Sequence, residues 1–263
     1  MARQRERFER TDVPRDNPHR NLIAVIVLVA VFVACGVVGT LAWRRAQAQS
    51  HLGDSSLSSS VKRTSKVSDL GYTVSGDTFM GVLLLTTDSL DASQTGGANL
   101  SSAELLVYDE TAATGTLVSI LIDVKVTNDG QDTTLAELFH GSGAGACVAP
   151  LSSATNLPVT HVIVSTNAVW DEIRSLAGSG VNTLIGRATE FLSSIRTDMS
   201  SQQLLDLAEK VQSAGTSGLS KVDAPMVEET TTDEGGNSVS TGYSVIDQAS
   251  LGLAVGTLVS NAE

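Results

Sequence analysis

Short continuous apolar runs are the most regular feature of the hydrophobic pattern after residue 78. Four of them predict strands that are buried on both faces, at residues 79–85 (FMGVLLL), 105–108, 117–122 and 159–165. The polar segment DETAATGT between the second and third runs suits a hairpin loop. Two later strands are expected at residues 221–227 and 238–243, separated by an exposed polar loop at 228–237.

Helical patterns lie between and after these strands. Ser200 and Gln203 form a capping box ahead of Leu-rich amphipathic spacing, which predicts a helix. Further helices are predicted from Asn167 onward, over the apolar positions of residues 184–195, and over residues 245–259. Strands buried on both faces need helices on both sides of their sheet. The sequence therefore predicts an α/β fold, a three-layer α/β/α sandwich with a mixed central sheet.

A run of 22 uncharged residues at positions 22–43 (LIAVIVLVAVFVACGVVGTLAW) stands apart from this pattern. As a helix rising about 1.5 Å per residue, it is long enough to cross a bilayer. Six arginines precede it, which favours a cytoplasmic basic tail at residues 1–21 and an extracytoplasmic C-terminal part. We therefore expect a single-pass protein of the cell membrane. Signal-peptide cleavage after Ala46-Gln47-Ala48 and lipidation at Cys35 stay open as alternatives.

The segment after the apolar run is rich in serine and has no sustained hydrophobic period. Residues 44–77 are typical of an extracytoplasmic stalk or linker. A single folded domain is expected from residue 78 to residue 263.

The charge of the chain limits its partners. Its 263 residues include 29 acidic and 17 basic side chains, a formal charge of -12. Eight of the basic residues lie at or before Arg45, together with four acidic ones, so the remainder has nine basic against 25 acidic residues. This acidity argues against a nucleic-acid binder. Any phosphate must be held by local arginines, by backbone amides or through a bridging cation.

Isolated reactive side chains give little support for common catalytic sites. Cys147 is the only cysteine outside the apolar run, and a buried small hydrophobe is the favoured interpretation over a nucleophile. His161 lies within an apolar strand and is interpreted as a packed imidazole. His140 precedes a glycine-rich stretch at residues 141–145, which is interpreted as a flexible loop rather than a phosphate cradle. A Ser-His-Asp triad stays open by counting, although no G-x-S-x-G motif occurs.

Two aspartates come at the ends of predicted strands. Asp88 follows the first strand and Asp123 the third. Carboxylates at strand ends are where an α/β sheet presents contacts to ligands or Mg²⁺, although capping a turn is the simpler role.

Several longer segments carry a resemblance to a known family. GVLLLTTDSL (residues 81–90), TLVSILID (116–123), NLPVTHVIVST (156–166) and IRTDMSSQQLLDLAEKVQ (195–212) resemble, in order and spacing, the LytR-CpsA-Psr family. The resemblance covers residues 78–263. It implies an extracytoplasmic domain that transfers a polyprenyl-pyrophosphate-linked glycopolymer to the cell wall. In that family arginines grip the pyrophosphate, carboxylates hold Mg²⁺, and an apolar tunnel takes the prenyl chain.

The resemblance fails at the charged positions. The arginine implied after Asp88 is Leu90, the implied Arg-Ser-Asp is Asn99-Leu100-Ser101, and the implied Pro-Arg-Asp is Leu121-Ile122-Asp123. The resemblance also implies a later arginine-rich stretch, which is mostly missing here, and Arg187 is expected to be its remnant. Each lost charge-assisted contact is worth about 1.5–3 kcal/mol, so three or four losses abolish tight pyrophosphate binding.

Three hypotheses follow. The first is a membrane-anchored relative of the glycopolymer ligases that has lost catalysis, needs no cofactor, and binds, scaffolds or regulates in the cell envelope. The second is a working Mg²⁺-dependent phosphotransferase in which Asp88 and Asp123 are catalytic and hold the metal, while Arg187 and Lys125 bind substrate. The third is an unrelated envelope interaction protein. The expected partners are the membrane, through residues 22–43, and a polyprenyl-phosphate lipid or cell-wall glycopolymer.

Overall fold

The structure is a computed structural model that describes residues 51–52, 72–169, 194–215 and 218–260. The strands of this part, in chain order, are β1 His51–Leu52, β2 Tyr72–Val74, β3 Phe79–Thr87, β4 Leu100–Asp109, β5 Thr114–Ile120, β6 Lys125–Asn128, β7 Gln131–Thr134, β8 His161–Thr166, β9 Ile195–Thr197, β10 Leu219–Asp223, β11 Met226–Thr232, β12 Ser238–Ile246 and β13 Leu258–Ser260. The helices are α1 Leu135–Ser142, α2 Ala144–Thr155, α3 Ser201–Ala214 and α4 Gln248–Ala254, with a 3₁₀ turn at Ala92–Gln94.

A seven-stranded mixed sheet organises the fold, in the order β1-β9-β8-β3-β4-β5-β10. Strand β4 is antiparallel to both β3 and β5, while β8 runs parallel to β3 and β10 runs parallel to β5. The carboxyl ends of β3, β5, β8 and β10 therefore meet at one edge of the sheet. Three pairs lie outside it, β11–β12, β2–β13 and β6–β7.

Apolar side chains on alternating positions of the central strands cover both faces of the sheet. One core joins Leu83, Leu105 and Val118 to Phe139 and Leu151 of α1 and α2. The second core lies on the opposite face and joins Val82, Leu106 and Ile163 to Leu204 and Val211 of α3. Helices thus cover both faces, so the predicted α/β fold with a mixed sheet is confirmed for the described residues.

Gly81 allows the chain to pass closely over β3. A Cβ atom at this position would lie 1.8 Å from the carbonyl oxygen of Pro158. The Gly81 carbonyl also accepts hydrogen bonds from the backbone N–H of Thr160 at 2.8 Å and from its hydroxyl at 2.9 Å. Glycine is therefore required at this crossing, just before the chain enters β8.

The four predicted apolar strands are confirmed as β3, β4, β5 and β8, and β4 is longer at both ends than its apolar run. The predicted helix after Ser200 is confirmed as α3, with both bonds of the capping box formed. Residues 72–74, within the predicted stalk, pair with β13 as strand β2. A helix begins at Asn167, of which residues 167–169 are described.

Other predictions are wrong in their bounds or type. Much of the predicted loop at 228–237 belongs to strand β11, which continues to Thr232. The predicted C-terminal helix is limited to α4, because β12 ends at Ile246 and β13 begins at Leu258. Ile195 lies in β9 rather than in a helix. The rest of the helix predicted at 184–195, up to residue 193, lies outside the described residues.

The predicted membrane span at residues 22–43 lies outside the described residues as well. Within the ranges that the structure describes, no helix combines the length and the apolarity that crossing a membrane requires.

Candidate functional site

Asp88 lies where the sequence places it, immediately after the last residue of β3. Its Oδ1 accepts a hydrogen bond from the Asn99 backbone N–H at 2.9 Å, and its Oδ2 accepts one from the Asn99 side-chain amide at 2.6 Å. These bonds, the backbone one foremost, lower the pKa of Asp88 below its ordinary value. Asn99 directly precedes β4, so the pair also closes the end of the β3–β4 hairpin.

Asp123 lies at the same edge of the sheet as Asp88. Strands β3 and β5 are both antiparallel to β4, so their carboxyl ends meet there, about 10 Å apart across two strand spacings. Asp123 is exposed in a turn that the Val124 backbone N–H closes by donating to the Leu121 carbonyl at 3.1 Å. The structure thus brings both predicted aspartates to one edge, each at a strand end or turn.

These carboxylates do not complete a metal site. Mg²⁺ prefers near-octahedral oxygen coordination, usually from one or two carboxylates and several waters. Asp88 already uses both oxygens to accept hydrogen bonds from Asn99. Among the described residues, no group of three or more His, Cys, Asp or Glu side chains is placed to hold a metal ion. Of the described side chains, Asp88 and Asp123 could thus supply at most one carboxylate each to the Mg²⁺ of the second hypothesis, and its other ligands would have to be water or substrate oxygens.

Lys125, the first residue of β6, is surrounded by carboxylates. Its Nζ lies 2.7 Å from Asp132 Oδ2 and 2.6 Å from Glu229 Oε1, and it sits 5.4 Å from the centre of the Tyr243 ring. Hydrogen bonds to Asp132, and then to Glu229, raise the pKa of Lys125. The ammonium is therefore already neutralised, and this geometry does not support the predicted role in substrate binding.

Cationic side chains are scarce throughout the described ranges. Their 19 carboxylates face four cations, Arg196 and three lysines, which gives a formal charge of -15. Lys210 is paired with Glu110, and Lys221 with Glu104 at 2.9 Å. Arg196 is 5% exposed, within β9. Arg187, the predicted remnant of the arginine-rich stretch, lies outside the described residues.

His161 and Asp198 form a partly buried pair at the opposite edge of the sheet. His161 pairs with Val82, near the start of β3, whereas Asp88 follows the end of that strand. The His161 Nδ1 lies 2.9 Å from Asp198 Oδ2, and Asp198 Oδ1 accepts from the Val162 backbone N–H at 2.7 Å. The interpretation of His161 as a packed, hydrogen-bonded imidazole is confirmed. No serine in the described ranges bonds to it, so no triad forms there.

The remaining candidates are structural. Cys147 is fully buried in α2, and desolvation raises its pKa to about 12, so its thiol is inert. The glycine-rich stretch is not a loop but the junction of α1 and α2. A Cβ atom on Gly143 would lie 2.6 Å from the Ser93 carbonyl oxygen, so this glycine packs against backbone rather than facing a ligand. His140 Nδ1 lies 3.2 Å from the Ala98 carbonyl oxygen.

The sequence does not reveal the residues that bind two of the charged candidates, Asp88 and Lys125. In the sequence, Asn99 stands where the family resemblance implies an arginine, and Glu229 lies in a segment that is predicted to be a polar loop. Asn99 lies 11 positions from Asp88 and Glu229 lies 104 positions from Lys125. A polar residue directly before an apolar strand was the available signal for Asn99. No local signal points to Glu229.

Comparison with known proteins finds similarity to solved structures. No family model and no curated protein matches the chain. Bacillus subtilis TagT is 15% identical with a TM-score of 0.43, covering 72% of this chain and 91% of TagT. Bacillus subtilis TagV is 10% identical with a TM-score of 0.44, covering 67% and 94%. The transcriptional regulator yvhJ from the same organism is 12% identical with a TM-score of 0.47, covering 67% and 94%.

Identities and TM-scores at this level describe a likeness of overall fold, so the chemistry of the site has to be argued from the residues of this chain.

Proposed function

We propose that this chain is a membrane-anchored, extracytoplasmic protein of the cell envelope that has lost the catalytic activity of the glycopolymer ligases and acts as a binding, scaffolding or regulatory module. One observation carries the proposal. The places at which the family resemblance implies arginines are occupied by Leu90, Asn99 and Ile122, and none of the three side chains can hold a diphosphate.

Each replacement has its own local role. Leu90 and Ile122 are partly buried against the core that α1 and α2 share with the sheet. Asn99 donates both of its hydrogen bonds to Asp88, where an arginine would bring a full positive charge. The strand edge is thus completed by apolar packing and by hydrogen bonds from an uncharged donor to the Asp88 carboxylate.

The electrostatics of the described residues support the same conclusion. A diphosphate needs several cationic donors or a metal to neutralise it, because phosphoryl transfer consists largely of positioning and charge stabilisation. The three described lysines are held in ion pairs. A formal charge of -15 around them repels polyanions at long range.

A turnover assay tests the proposal. The full-length chain is reconstituted in vesicles with a polyprenyl-pyrophosphate-linked glycan and Mg²⁺, and released polyprenyl phosphate is measured. We expect no release above that of protein-free vesicles. Release that disappears in Asp88→Ala, but persists in the matched control Asp206→Ala on the exposed face of α3, would establish the active-enzyme alternative instead.

A further inference from the structure

The chain from Met226 to Ile246 forms a two-stranded ribbon that stands outside the central sheet. It consists of β11, a turn at residues 233–237, and β12. Eleven consecutive residues, 230–240, are exposed. Successive residues of a strand point to opposite faces, so the outer half of the ribbon is bare on both faces.

The ribbon is fixed at its base. Opposite Glu229, strand β12 bulges through Thr241, Gly242 and Tyr243, and Gly242 adopts a φ of 81° that favours glycine. Glu229 accepts a hydrogen bond from the Thr241 hydroxyl at 2.7 Å and from Lys125 at 2.6 Å. Lys125 therefore joins both strands of the ribbon to the β6–β7 hairpin of the body.

The tip of the ribbon is fixed as well. Asp233 Oδ1 accepts hydrogen bonds from the backbone N–H groups of Gly235 and Asn237, both at 2.8 Å. The Asp233 N–H donates to the Asn237 carbonyl at 2.9 Å. An isolated two-stranded ribbon is marginally stable in water, so fixing both ends preorganises an exposed element that packing alone does not hold.

The ribbon also leaves a strand edge open. Within the described ranges, β11 pairs only with β12, and the far side of β12 makes a single bridge, from Ser244 to Val124. Natural proteins usually protect such edges with lysine, proline or a covering element. Here the charged side chains of the ribbon are Glu228, Glu229, Asp233 and Glu234, and no lysine or arginine occurs from residue 222 to the end of the chain.

We propose that this ribbon is a docking arm that binds an extended cationic segment of another protein by strand addition to the edge of β11. Main-chain hydrogen bonds to the open edge would supply affinity, and the carboxylates of Glu228 and Glu234 would select lysine and arginine on the incoming strand. Charge complementarity favours this occupant over a second copy of the chain, because two such edges would place like charges opposite each other. The ribbon shares no residue with the sheet edge that carries Asp88. The proposal therefore does not depend on the loss of catalysis.

The first test measures binding of a labelled, alternating Lys-Thr dodecapeptide to the full-length protein in micelles, by fluorescence anisotropy. An alternating Glu-Thr peptide of equal length is the charge control. We expect saturable binding of the Lys-Thr peptide only. The double variant Glu228→Lys with Glu234→Lys should weaken binding of the Lys-Thr peptide about tenfold or more. The control variant, Asp206→Lys with Glu209→Lys, makes the same charge change on exposed positions of α3. It should weaken binding less than about threefold.

The second test separates strand addition from simple charge attraction. A Lys-Thr peptide that is N-methylated at alternate residues keeps its charge but cannot complete a β-ladder. We expect it to lose binding, and we expect the unmodified peptide to slow amide hydrogen exchange at residues 228–232. Equal binding of the methylated peptide, or equal effects of the two double variants, would overturn the proposal. The proposal would also be overturned if the protein self-associated in the absence of peptide and the double variant Glu228→Lys with Glu234→Lys abolished this self-association. That result would make a second copy of the chain the partner of the ribbon.

Discussion

Two adjacent serines at the start of α3 should have opposite effects on stability when each is changed to alanine. The Ser200 hydroxyl accepts a hydrogen bond from the Gln203 backbone N–H, and the Gln203 side chain accepts one from the Ser200 N–H at 2.9 Å. The Ser201 hydroxyl, by contrast, has no hydrogen-bond partner among the residues that the structure describes, although the residue is only 8% exposed. It faces the second core, on the side of the helix that carries Leu204.

The magnitudes follow from these surroundings. Loss of an N-cap costs about 1 kcal/mol, so Ser200→Ala should destabilise by roughly that amount. A buried, unsatisfied hydroxyl costs about 1–3 kcal/mol relative to a satisfied one, and alanine has a better helix propensity than serine. Ser201→Ala should therefore raise the free energy of unfolding by about 1–2 kcal/mol. In a domain of this size each kcal/mol shifts Tm by roughly 2–4 °C, so the two variants should differ by about 5 °C or more.

Thermal unfolding followed by far-UV circular dichroism, on the full-length protein in micelles, measures both variants against the parent. Ser200→Ala is the matched control, because it removes the same hydroxyl from the neighbouring position. A lower Tm for Ser201→Ala than for the parent would refute the reasoning, because it would mean that the buried hydroxyl makes a stabilising contact.

Three further predictions concern charged and titratable groups. Asn99→Ala removes the side-chain hydrogen bond to Asp88 but keeps the backbone one, so the pKa of Asp88 should rise part of the way toward its ordinary value of 3.8. Since that pKa is lowered in the folded parent, the stability advantage of the parent should be complete above pH 3.8 and shrink as the pH falls through the lowered pKa. Carboxyl ¹³C NMR and unfolding at several pH values can check both expectations. Lys125→Met should raise the pKa of Glu229, which the Lys125 ammonium lowers, and should speed hydrogen exchange throughout the ribbon; unchanged exchange there would contradict its role as the anchor. In a Cys35→Ser background, Cys147 should resist thiol reagents at pH 8 until the protein unfolds, because a pKa of about 12 leaves a thiolate fraction on the order of 10⁻⁴.

The central sheet was predictable because its strands are continuous apolar runs, which residue type alone reveals. Helix α3 was predictable from a capping box followed by leucines at helical spacing. Helix α1 was missed although Thr134 and Glu137 form a capping box there. Helix α2 could not be predicted, because its small residues give no clear amphipathic pattern and Pro150 in its interior disfavours a helix.

The candidate site was predictable only in part. The sequence identified Asp88 and Asp123 as strand-end carboxylates, and the topology brings them to one edge. The partners of the charged groups could not be predicted, because they depend on tertiary contacts. Lys125 and Glu229 are 104 positions apart, and only the tertiary fold brings them into contact. Strand β11 is so polar that its sequence predicts a loop. Its strand conformation comes from pairing with β12 and from the anchor at Lys125, not from its own hydrophobic pattern.

The most direct test of the lost diphosphate site is a calorimetric titration of the full-length protein with a long-chain polyprenyl diphosphate in micelles, with and without Mg²⁺. The account predicts no Mg²⁺-dependent, saturable binding below about 1 mM in the parent, and tighter binding in Asn99→Arg, which returns one cation to the strand edge. Micromolar, Mg²⁺-dependent binding that weakens at least about tenfold in Asp88→Ala would contradict it.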